Sequence, residues 1–355
     1  MILVDTSENA ASVNFRCLRK GVIIRSIINL DFRKMENCMS DTEAQLKENA
    51  LISFNTFPVS VVLKTLLKDK STEQNIIFAT NSYKTAFGRQ IKETDQITLK
   101  LLQNDLAFSI QPRVSKSIEE QAERTRKKAE VFTPSWVCNK MNNHCDEEWF
   151  GRKNIFNTEK GKEWIPTAEK IAFEEPDDWK NYVDSKRLEI TCGEAPYIAS
   201  RYDTTTGAII PIHKRIGILD RKLRIVGENA QDEDEWLTWT YRAFMSVYGY
   251  EFQGDNLLIA RINLLNTFTD YVQEKLKRPP TEEELKKAAG IIVWNLWQMD
   301  GITGTIPFRK PKKEEEQPSL FDFELGLNDE EPEAVDCKIY DWTAKKTLTY
   351  KSIKN

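Results

Sequence analysis

The sequence lacks long apolar segments. None of its 355 residues lies in an uninterrupted apolar stretch of about eighteen residues, the length that a membrane-spanning helix requires. The apolar run Gly21–Ile24 is too short for the core of a secretory signal, and the charged Arg25 ends it. We therefore expect a cytoplasmic protein that does not span a membrane.

The residues that usually bind metals are few and poorly spaced. There are two histidines, His144 and His213, and the six cysteines form no paired C-x-x-C spacing. Cys138, His144 and Cys145 are close in sequence, but structural zinc sites usually show such pairs. We therefore expect no metal site and reduced thiols, which is typical of the cytoplasm. The remaining cysteines are Cys17, Cys38, Cys192 and Cys337.

The chain also lacks an excess of charge of one sign. Its net charge of −4 produces no overall field that would attract DNA. Local basic faces matter more than net charge for nucleic-acid binding, and two basic stretches are present. The same stretches are equally typical of solvated helix faces and tails, so both interpretations stay open. They consist of Arg113, Lys116, Arg124, Arg126, Lys127 and Lys128, and of Arg309, Lys310, Lys312 and Lys313.

Hydrophobic spacing and composition divide the chain into five segments. The first shows no sustained period and precedes Met35, which suggests that the functional chain begins at Met35. The second is predicted to be a mainly helical extension, the third the main domain, and the fourth a mobile linker rich in Lys, Glu, Pro and Asp. The fifth is short and is expected to add a strand pair. Their bounds are 1–34, 35–128, 129–309, 310–336 and 337–355.

Within the extension the pattern is helical from Thr42 onward, and Ser117–Glu130 is predicted to be a charged helix. The apolar residues at three-to-four spacing are Leu46, Ala50, Leu51, Val59, Val62, Leu63, Leu66 and Leu67. The run Asn75–Thr80 is predicted to be a strand or a buried turn. In the main domain three β-prone runs alternate with three helical patterns, which predicts a parallel α/β sheet. The runs are Arg187–Thr191, Val247–Phe252 and Asn295–Asp300, and the helices are Glu235–Ser246, Asp255–Phe268 and Thr281–Trp294, with a capping box at Thr281 and Glu284.

Each β-prone run leads into residues suited to a ligand. Cys192, Gly193 and Glu194 follow the first run, and glycine there lets the backbone approach a ligand closely. Glu251 lies at the second strand end, where an acid can accept ribose hydroxyls, and Asp300 follows the third, where it could accept an adenine amino group. An acidic turn suits a cationic ligand such as S-adenosylmethionine. Taken singly, such strand-end acids are more often ordinary surface residues.

Four stretches resemble motifs of the N6-adenine DNA methyltransferases. AEVFTPSWVCNKM (Ala129–Met141) resembles their FTP motif, and ITCGEAPYIASRYD resembles their glycine-containing cofactor loop, with the second glycine replaced. YGYEFQGDNLLIARINLL resembles the ribose-binding motif, and NLWQMDG resembles the adenine-binding motif. The resemblance spans roughly residues 129–304 and is closest to modification subunits of restriction–modification systems.

The resemblance implies a doubly wound, mostly parallel α/β sheet of the Rossmann-like methyltransferase type, preceded by the helical extension. It implies S-adenosylmethionine as cofactor and double-stranded DNA as partner. Glu251 would bind the ribose and Asp300 the adenine, while the FTP residues would contact the methionine end. The predicted cofactor-binding residues are Thr133, Pro134, Cys192, Gly193, Glu194, Tyr197, Glu251 and Asp300.

The family signature Asn/Asp-Pro-Pro-Tyr/Phe, which binds the flipped target base, is absent from the sequence. Thr305–Phe308 retains its last two residues, and Asn295–Gln298 has an asparagine and an aromatic residue. A second subunit could supply the motif, a degenerate stretch could replace it, or the chain could bind cofactor without methylating. We therefore assign no catalytic residue.

The sequence thus predicts a DNA adenine-N6 methyltransferase, with a second subunit as one possible source of the base-binding motif. Two alternatives stay open: a non-catalytic cofactor- and DNA-binding subunit of such a system, and a methyltransferase acting on protein or RNA. The FTP segment favours DNA by analogy. Within the linker, Gln317, Leu320 and Phe321 resemble peptides that dock on the bacterial sliding clamp, a pattern that also arises by chance.

Overall fold

The computed structural model describes residues 51–83, 90–102, 110–128, 133–308 and 334–354. The predicted segment 1–34, most of the linker 310–336 and the sliding-clamp residues Gln317, Leu320 and Phe321 lie outside these ranges. Within the described residues no helix is long and apolar enough to cross a membrane.

In the extension, helix α1 spans Val59–Leu66, α2 spans Leu99–Leu102 and α3 spans Ile118–Lys128. The apolar residues of α1 face the core, as their spacing predicts. Asn75–Thr80 forms isolated bridges, Lys68 with Asn75 and Ile77 with Gln96, rather than a regular strand, so the buried-turn alternative is the better description.

Helix α4 spans Ser135–Phe150, the hairpin strands β1 and β2 span Asn157–Lys160 and Glu163–Pro166, and helix α5 spans Asp178–Asp184. Hydrophobic periodicity does not predict α4, because its buried face is polar. That face includes Asn139, Asn142, Asn143 and Asp146. Several of these side chains are satisfied by a buried guanidinium: Arg221 donates to Asn139, Asn143 and the carboxylate of Asp146.

The main sheet contains three parallel strands in the order β3–β4–β5: Arg187–Ile190, Val247–Glu251 and Leu296–Gln298. Helices α6 (Ile218–Asn229) and α7 (Glu233–Met245) connect β3 to β4, and α8 (Gly254–Leu276) and α9 (Glu282–Asn295) connect β4 to β5. The three predicted strands, the helix pattern and the capping box at Thr281 are confirmed. Helix α8 extends eight residues beyond the predicted end at Phe268.

The strands follow one another across the sheet in chain order, from β3 to β4 to β5. Because connections between parallel strands are almost always right-handed, we expect the helices of both connections to lie on the same face of the sheet. The other face is covered by the C-terminal hairpin of β6 (Lys338–Asp341) and β7 (Lys346–Thr349), which precedes the short helix α10 (Lys351–Lys354). The predicted strand pair is thus confirmed, as a separate antiparallel sheet. Tyr350 packs against Tyr250 and Trp297, with ring centroids 5.9 Å and 6.0 Å apart.

The hairpin does not cover the whole second face. Leu188 and Ile190 of β3 are 46% and 62% exposed, and no described strand pairs with the outer edge of β3. The α/β class and the parallel sheet are therefore confirmed. The described residues provide no strands beyond β3 that would make the sheet doubly wound.

One buried side chain connects the extension to the sheet. Arg261 of α8 donates to the carbonyl oxygens of Leu66 and Lys68, at 2.6 Å and 2.9 Å, and also to that of Leu296 at the start of β5. Its side chain is fully buried. The end of α1 and the first residue of β5 thus share one guanidinium group.

Candidate functional site

The turn after β3 lies at the carboxyl edge of the sheet. The backbone N–H of Cys192 donates to the carbonyl of Tyr250 at 2.9 Å and so continues the pairing with β4. Gly193 and Ala195 both have positive φ angles, +52° and +63°. A Cβ atom added to Gly193 would meet no atom within 4 Å, so the backbone of this turn faces open space. The turn therefore has room for the close approach of a ligand to the backbone that the sequence predicts at Gly193.

Glu251, at the end of β4, lies directly beside this turn. Its Oε2 accepts the backbone N–H of Gly193 at 2.9 Å, and its Oε1 accepts that of Gln253 at 3.1 Å. The side chain is 5% exposed. The predicted turn residue and the predicted ribose acid therefore form one cluster.

Asp300 follows β5 at the same edge, and the backbone N–H of the preceding Met299 donates to the carbonyl of Glu251 at 3.0 Å. The Asp300 carboxylate turns back on its own loop: Oδ1 accepts the N–H groups of Ile302 and Thr303, at 2.8 Å and 3.3 Å. The three strand ends are neighbours, but part of the Asp300 carboxylate is used within its own turn.

Glu194 was predicted from its position in the turn to bind the cofactor, but its carboxylate forms hydrogen bonds within the protein. Its Oε1 accepts the backbone N–H of Arg113 at 2.7 Å, and its Oε2 accepts the hydroxyl of Tyr202 at 2.6 Å. It is 1% exposed. Both oxygens therefore hold protein groups, one of them in the extension, and Glu194 stabilises the turn.

The FTP segment and the turn meet at Tyr197. Burial raises the pKa of the Tyr197 hydroxyl, while a hydrogen bond with Thr133 opposes that shift. Pro134 lies immediately before α4, whose first backbone N–H, that of Ser135, donates to Asp203 at 2.8 Å. Tyr197 is thus adjacent to Thr133 of the FTP segment, although the two residues are far apart in sequence.

Glu189 of β3 belongs to this cluster, although it was not among the predicted site residues. It accepts the backbone N–H groups of Tyr197 and Ile198, at 3.4 Å and 3.1 Å. Burial raises the pKa of Glu189 well above its usual value, and the charge of Glu251 raises it further. Burial and then the same two carboxylates raise the pKa of the Cys192 thiol. A cationic group in this cluster would relieve the repulsion between Glu189 and Glu251.

No sequence pattern indicates the part that the extension plays at this edge. The N–H of Gly254, the first residue of α8, donates to the carbonyl of Phe78 at 3.0 Å. Gln298 at the end of β5 both accepts from and donates to the backbone of Ile77, at 2.9 Å each. The extension therefore forms one wall of the carboxyl edge. These contacts join residues that are far apart in the chain, which local periodicity does not reveal.

The two stretches that resemble the missing base-binding motif differ in exposure. Asn295 is 1% exposed, donates to the carbonyls of Phe244 and Val247, and accepts from Trp342, so its amide is fully used in the core. Phe308 is 45% exposed and packs on Phe252, with ring centroids 5.6 Å apart. Of the two, only Thr305–Phe308 presents a ring to solvent beside the strand ends.

Three cavities among the described residues have volumes of about 540, 230 and 660 Å3. None of the three is lined by Gly193, Glu251 or Asp300. The 660 Å3 cavity includes Pro134. Within the described ranges no group of three or more His, Cys, Asp or Glu side chains is arranged to hold a metal ion.

Comparison of the chain with protein-family models, with curated proteins and with solved structures finds no match in any of the three.

Proposed function

We propose that this chain is the cofactor-binding half of an S-adenosylmethionine-dependent DNA adenine-N6 methyltransferase, the modification subunit of a restriction–modification system in the cytoplasm. The observation that supports it best is the hydrogen bond between Gly193 and Glu251, since it joins the predicted turn and the predicted ribose acid at one sheet edge. The contact between Thr133 and Tyr197 adds the FTP segment to the same cluster.

The residues present fit an adenosyl ligand that carries positive charge. Open space lies over Gly193, and the half-buried Glu189 and the buried Glu251 both accept hydrogen bonds from the turn and the residues after it. Glu251 would accept the ribose hydroxyls, and Thr133, Pro134 and Tyr197 would surround the methionine end. Cys192 and Glu194 would shape the turn, while Asp300 would limit the adenine side. When bound, the cofactor would supply an electrophilic methyl group.

In this proposal the target adenine leaves the duplex, and its amino group is held by acceptors that this chain does not provide. A second subunit would bring the base-binding strand and make the sheet doubly wound. The open edge of β3, with Leu188 and Ile190 exposed beside it, is the position where such a strand would pair.

A non-catalytic subunit is the second candidate. The buried, fully bonded Asn295 favours it, because that asparagine is not free to hold a target base. Such a subunit would bind cofactor and DNA in the same way but would transfer no methyl group, with or without a partner.

Calorimetry with S-adenosylmethionine tests the cofactor site. We expect the chain to bind the cofactor and Glu251→Gln to weaken binding about tenfold or more, because a neutral amide is a poorer acceptor for two hydroxyls. Glu274→Gln, at an exposed position of α8, is the matched control and should leave the affinity unchanged. If the unchanged chain, Glu251→Gln and the control variant all bind the cofactor with equal affinity, the proposed site is wrong.

Transfer of a tritiated methyl group to unmethylated DNA separates the two candidates. We expect no transfer by the chain alone and transfer once the second subunit is added. Cofactor binding with no transfer under either condition would favour the non-catalytic subunit.

A further inference from the structure

A cavity of about 540 Å3 lies between α6, the β1–β2 hairpin and the C-terminal half of α8. Tyr271, one of its lining residues, is seventeen positions beyond Gly254, which is roughly 25 Å along a helix that rises about 1.5 Å per residue. The cavity is therefore separate from the carboxyl edge where the cofactor site is proposed. Its other lining residues include Phe156, Trp164, Arg215, Asp220 and Arg224.

Two buried polar atoms of residues lining this cavity have no hydrogen-bond partner: Nη1 of Arg215 and Oδ1 of Asp220. The two side chains are 5% and 1% exposed. Their other polar atoms are held in place. Arg215 donates to Asp270 at 2.6 Å, and Oδ2 of Asp220 accepts the N–H and hydroxyl of Ser200, at 2.9 Å and 3.0 Å. Buried donors and acceptors in proteins are nearly always paired, so this donor and this acceptor mark a missing partner.

The two groups lie near each other without forming an ion pair. Burial alone would lower the pKa of Arg215, but the charges of Asp220 and Asp270 outweigh it and raise that pKa. Burial raises the pKa of Asp220, although Arg215 and Ser200 oppose the shift. Neither atom is accessible to solvent, so both side chains would have to turn towards the cavity to meet a group that accepts one hydrogen bond and donates another.

The rest of the wall favours a flat, uncharged ring over a phosphate. Trp164 contributes a half-buried aromatic surface, and its indole is fixed by a hydrogen bond to the Lys214 carbonyl at 2.7 Å. Phe156 and Tyr271 also line the cavity but are 5% and 7% exposed, and the guanidinium groups of Arg221 and Arg215 lie over their rings.

The two guanidinium groups of α6 are paired: Arg221 with Asp146, and Arg224 with Glu228 at 2.6 Å. Among the described residues the exposed Lys214 lines the cavity without an ion pair, so one positive charge is left there.

We propose that this cavity binds a nucleobase, whose Watson–Crick edge accepts a hydrogen bond from Arg215 and donates one to Asp220 while Trp164 stacks on its face. Each of the four bases has a donor beside an acceptor on that edge, and base–aromatic stacking is a general mode of nucleic-acid recognition. The site is independent of the cofactor cluster.

Calorimetry of the full chain with adenosine, guanosine, cytidine and thymidine tests the proposal, with ribose 5-phosphate as a base-free probe. The Glu251→Gln background weakens the proposed cofactor site as a competing source of binding. We expect at least one nucleoside to bind and the sugar phosphate not to bind. If no nucleoside binds, or if the sugar phosphate binds equally well, the proposal is wrong and a buried water accounts for the two atoms.

Asp220→Asn is the decisive variant. Its amide oxygen can keep the Ser200 hydrogen bonds, which puts a donor where the unpartnered acceptor was. We expect nucleoside affinity to fall about tenfold or more, because two donors then face each other. Arg201→Lys is the matched control, since Arg201 shares the Asp270 carboxylate with Arg215 but does not line the cavity. Unchanged affinity of Asp220→Asn would overturn the proposal.

Two further measurements complete the test. If Asp220→Asn fails to fold, Trp164→Leu removes the half-buried stacking surface instead, and it should weaken binding similarly. A short single-stranded oligonucleotide then distinguishes the sources of the base. Tighter binding of the oligonucleotide than of the nucleoside indicates a base within a nucleic acid, and the reverse indicates a free nucleoside.

Discussion

Asp255 is the residue whose ionisation most directly connects the extension to α8. Its Oδ2 lies 2.9 Å from Arg124, 3.7 Å from Lys116 and 2.8 Å from the hydroxyl of Tyr83. Burial alone would raise the pKa of Asp255, but Arg124 and Lys116 outweigh it and lower that pKa to about 2. The ionised form is thus stabilised in the folded chain.

A folded-state pKa below the unfolded one gives stability that is present above about pH 4 and is lost as the pH falls towards 2. We expect Asp255 to contribute about 2 kcal/mol at neutral pH through this linkage. Urea unfolding between pH 2 and pH 7 measures it. Asp255→Asn should flatten the acid limb of the stability profile, whereas the exposed Glu274→Gln should not. An acid limb unaltered in Asp255→Asn would contradict the assignment.

Asp146 is the counterion of the fully buried Arg221. We expect Asp146→Ala to lower the free energy of unfolding by about 3–5 kcal/mol, because it leaves a buried charge unpaired. The control is Glu148→Gln on the same helix, whose partner His144 is exposed and whose loss should cost less than about 0.5 kcal/mol. Urea denaturation of the two variants at pH 7 compares these values, and similar losses would show that the buried pair has no special weight.

At the scale of elements, two glycines within helices differ in how closely other parts of the chain pack against them. A Cβ atom on Gly254 of α8 would lie 1.9 Å from the carbonyl oxygen of Ile77, whereas one on Gly290 of α9 would meet nothing within 4 Å. We expect Gly254→Ala to destabilise by roughly 1–3 kcal/mol, since the extension must move. Gly290→Ala should instead stabilise by up to about 1 kcal/mol, because alanine favours the helix.

Urea unfolding gives both values, and limited proteolysis shows where Gly254→Ala loosens the chain. Cleavage should appear first around residues 76–83, next to the displaced carbonyl. If the two alanine variants are equally stable, the close approach of the extension to α8 is wrong.

Local chemistry explains which elements the sequence could predict. The capping box of Thr281 and Glu284 needs only neighbouring residues, and the structure has it as predicted. Helix α4 was missed because it buries asparagines against Arg221, so it has no apolar stripe for a periodicity to detect. The same limit applies to Asn75–Thr80, whose bridges depend on partners that only the fold brings near.

The candidate site likewise contains residues whose place the sequence could predict and residues whose place it could not. The proximity of Gly193 and Glu251 could be predicted because Gly193 lies in the turn after β3, Glu251 ends β4, and parallel strand ends share one edge. The hydrogen bonds of Glu194 could not be predicted, since its partners Arg113 and Tyr202 come from other parts of the fold. Glu189 lies four residues before Gly193, near the position of the acid in the methyltransferase loop that this stretch resembles, but the predicted set of site residues did not include it.

At the scale of the whole molecule, the second face of the sheet is half covered. Tyr250 is 5% exposed beneath the C-terminal hairpin, whereas Ile190 on the same face is 62% exposed. We expect Tyr250→Ala to cost roughly 3–5 kcal/mol through lost packing. Ile190→Ala should cost less than about 0.5 kcal/mol in the isolated chain.

Thermal denaturation of the two variants at matched concentration measures the contrast. A large loss for Ile190→Ala would mean that something already covers β3 in solution, which would remove the open edge from the functional proposal. A small loss for Tyr250→Ala would mean that the hairpin does not pack as described.

Arg261 limits how the carboxyl edge can open. A hinged movement of α1 away from β5 would break the hydrogen bonds from this guanidinium to Leu66 and Lys68 and leave a cation stranded in an apolar interior. Unfolding α1 and β5 together would require less free energy than separating them. Ligand entry must therefore use small side-chain displacements, and amide hydrogen exchange should report the same protection at the end of α1 as at the start of β5.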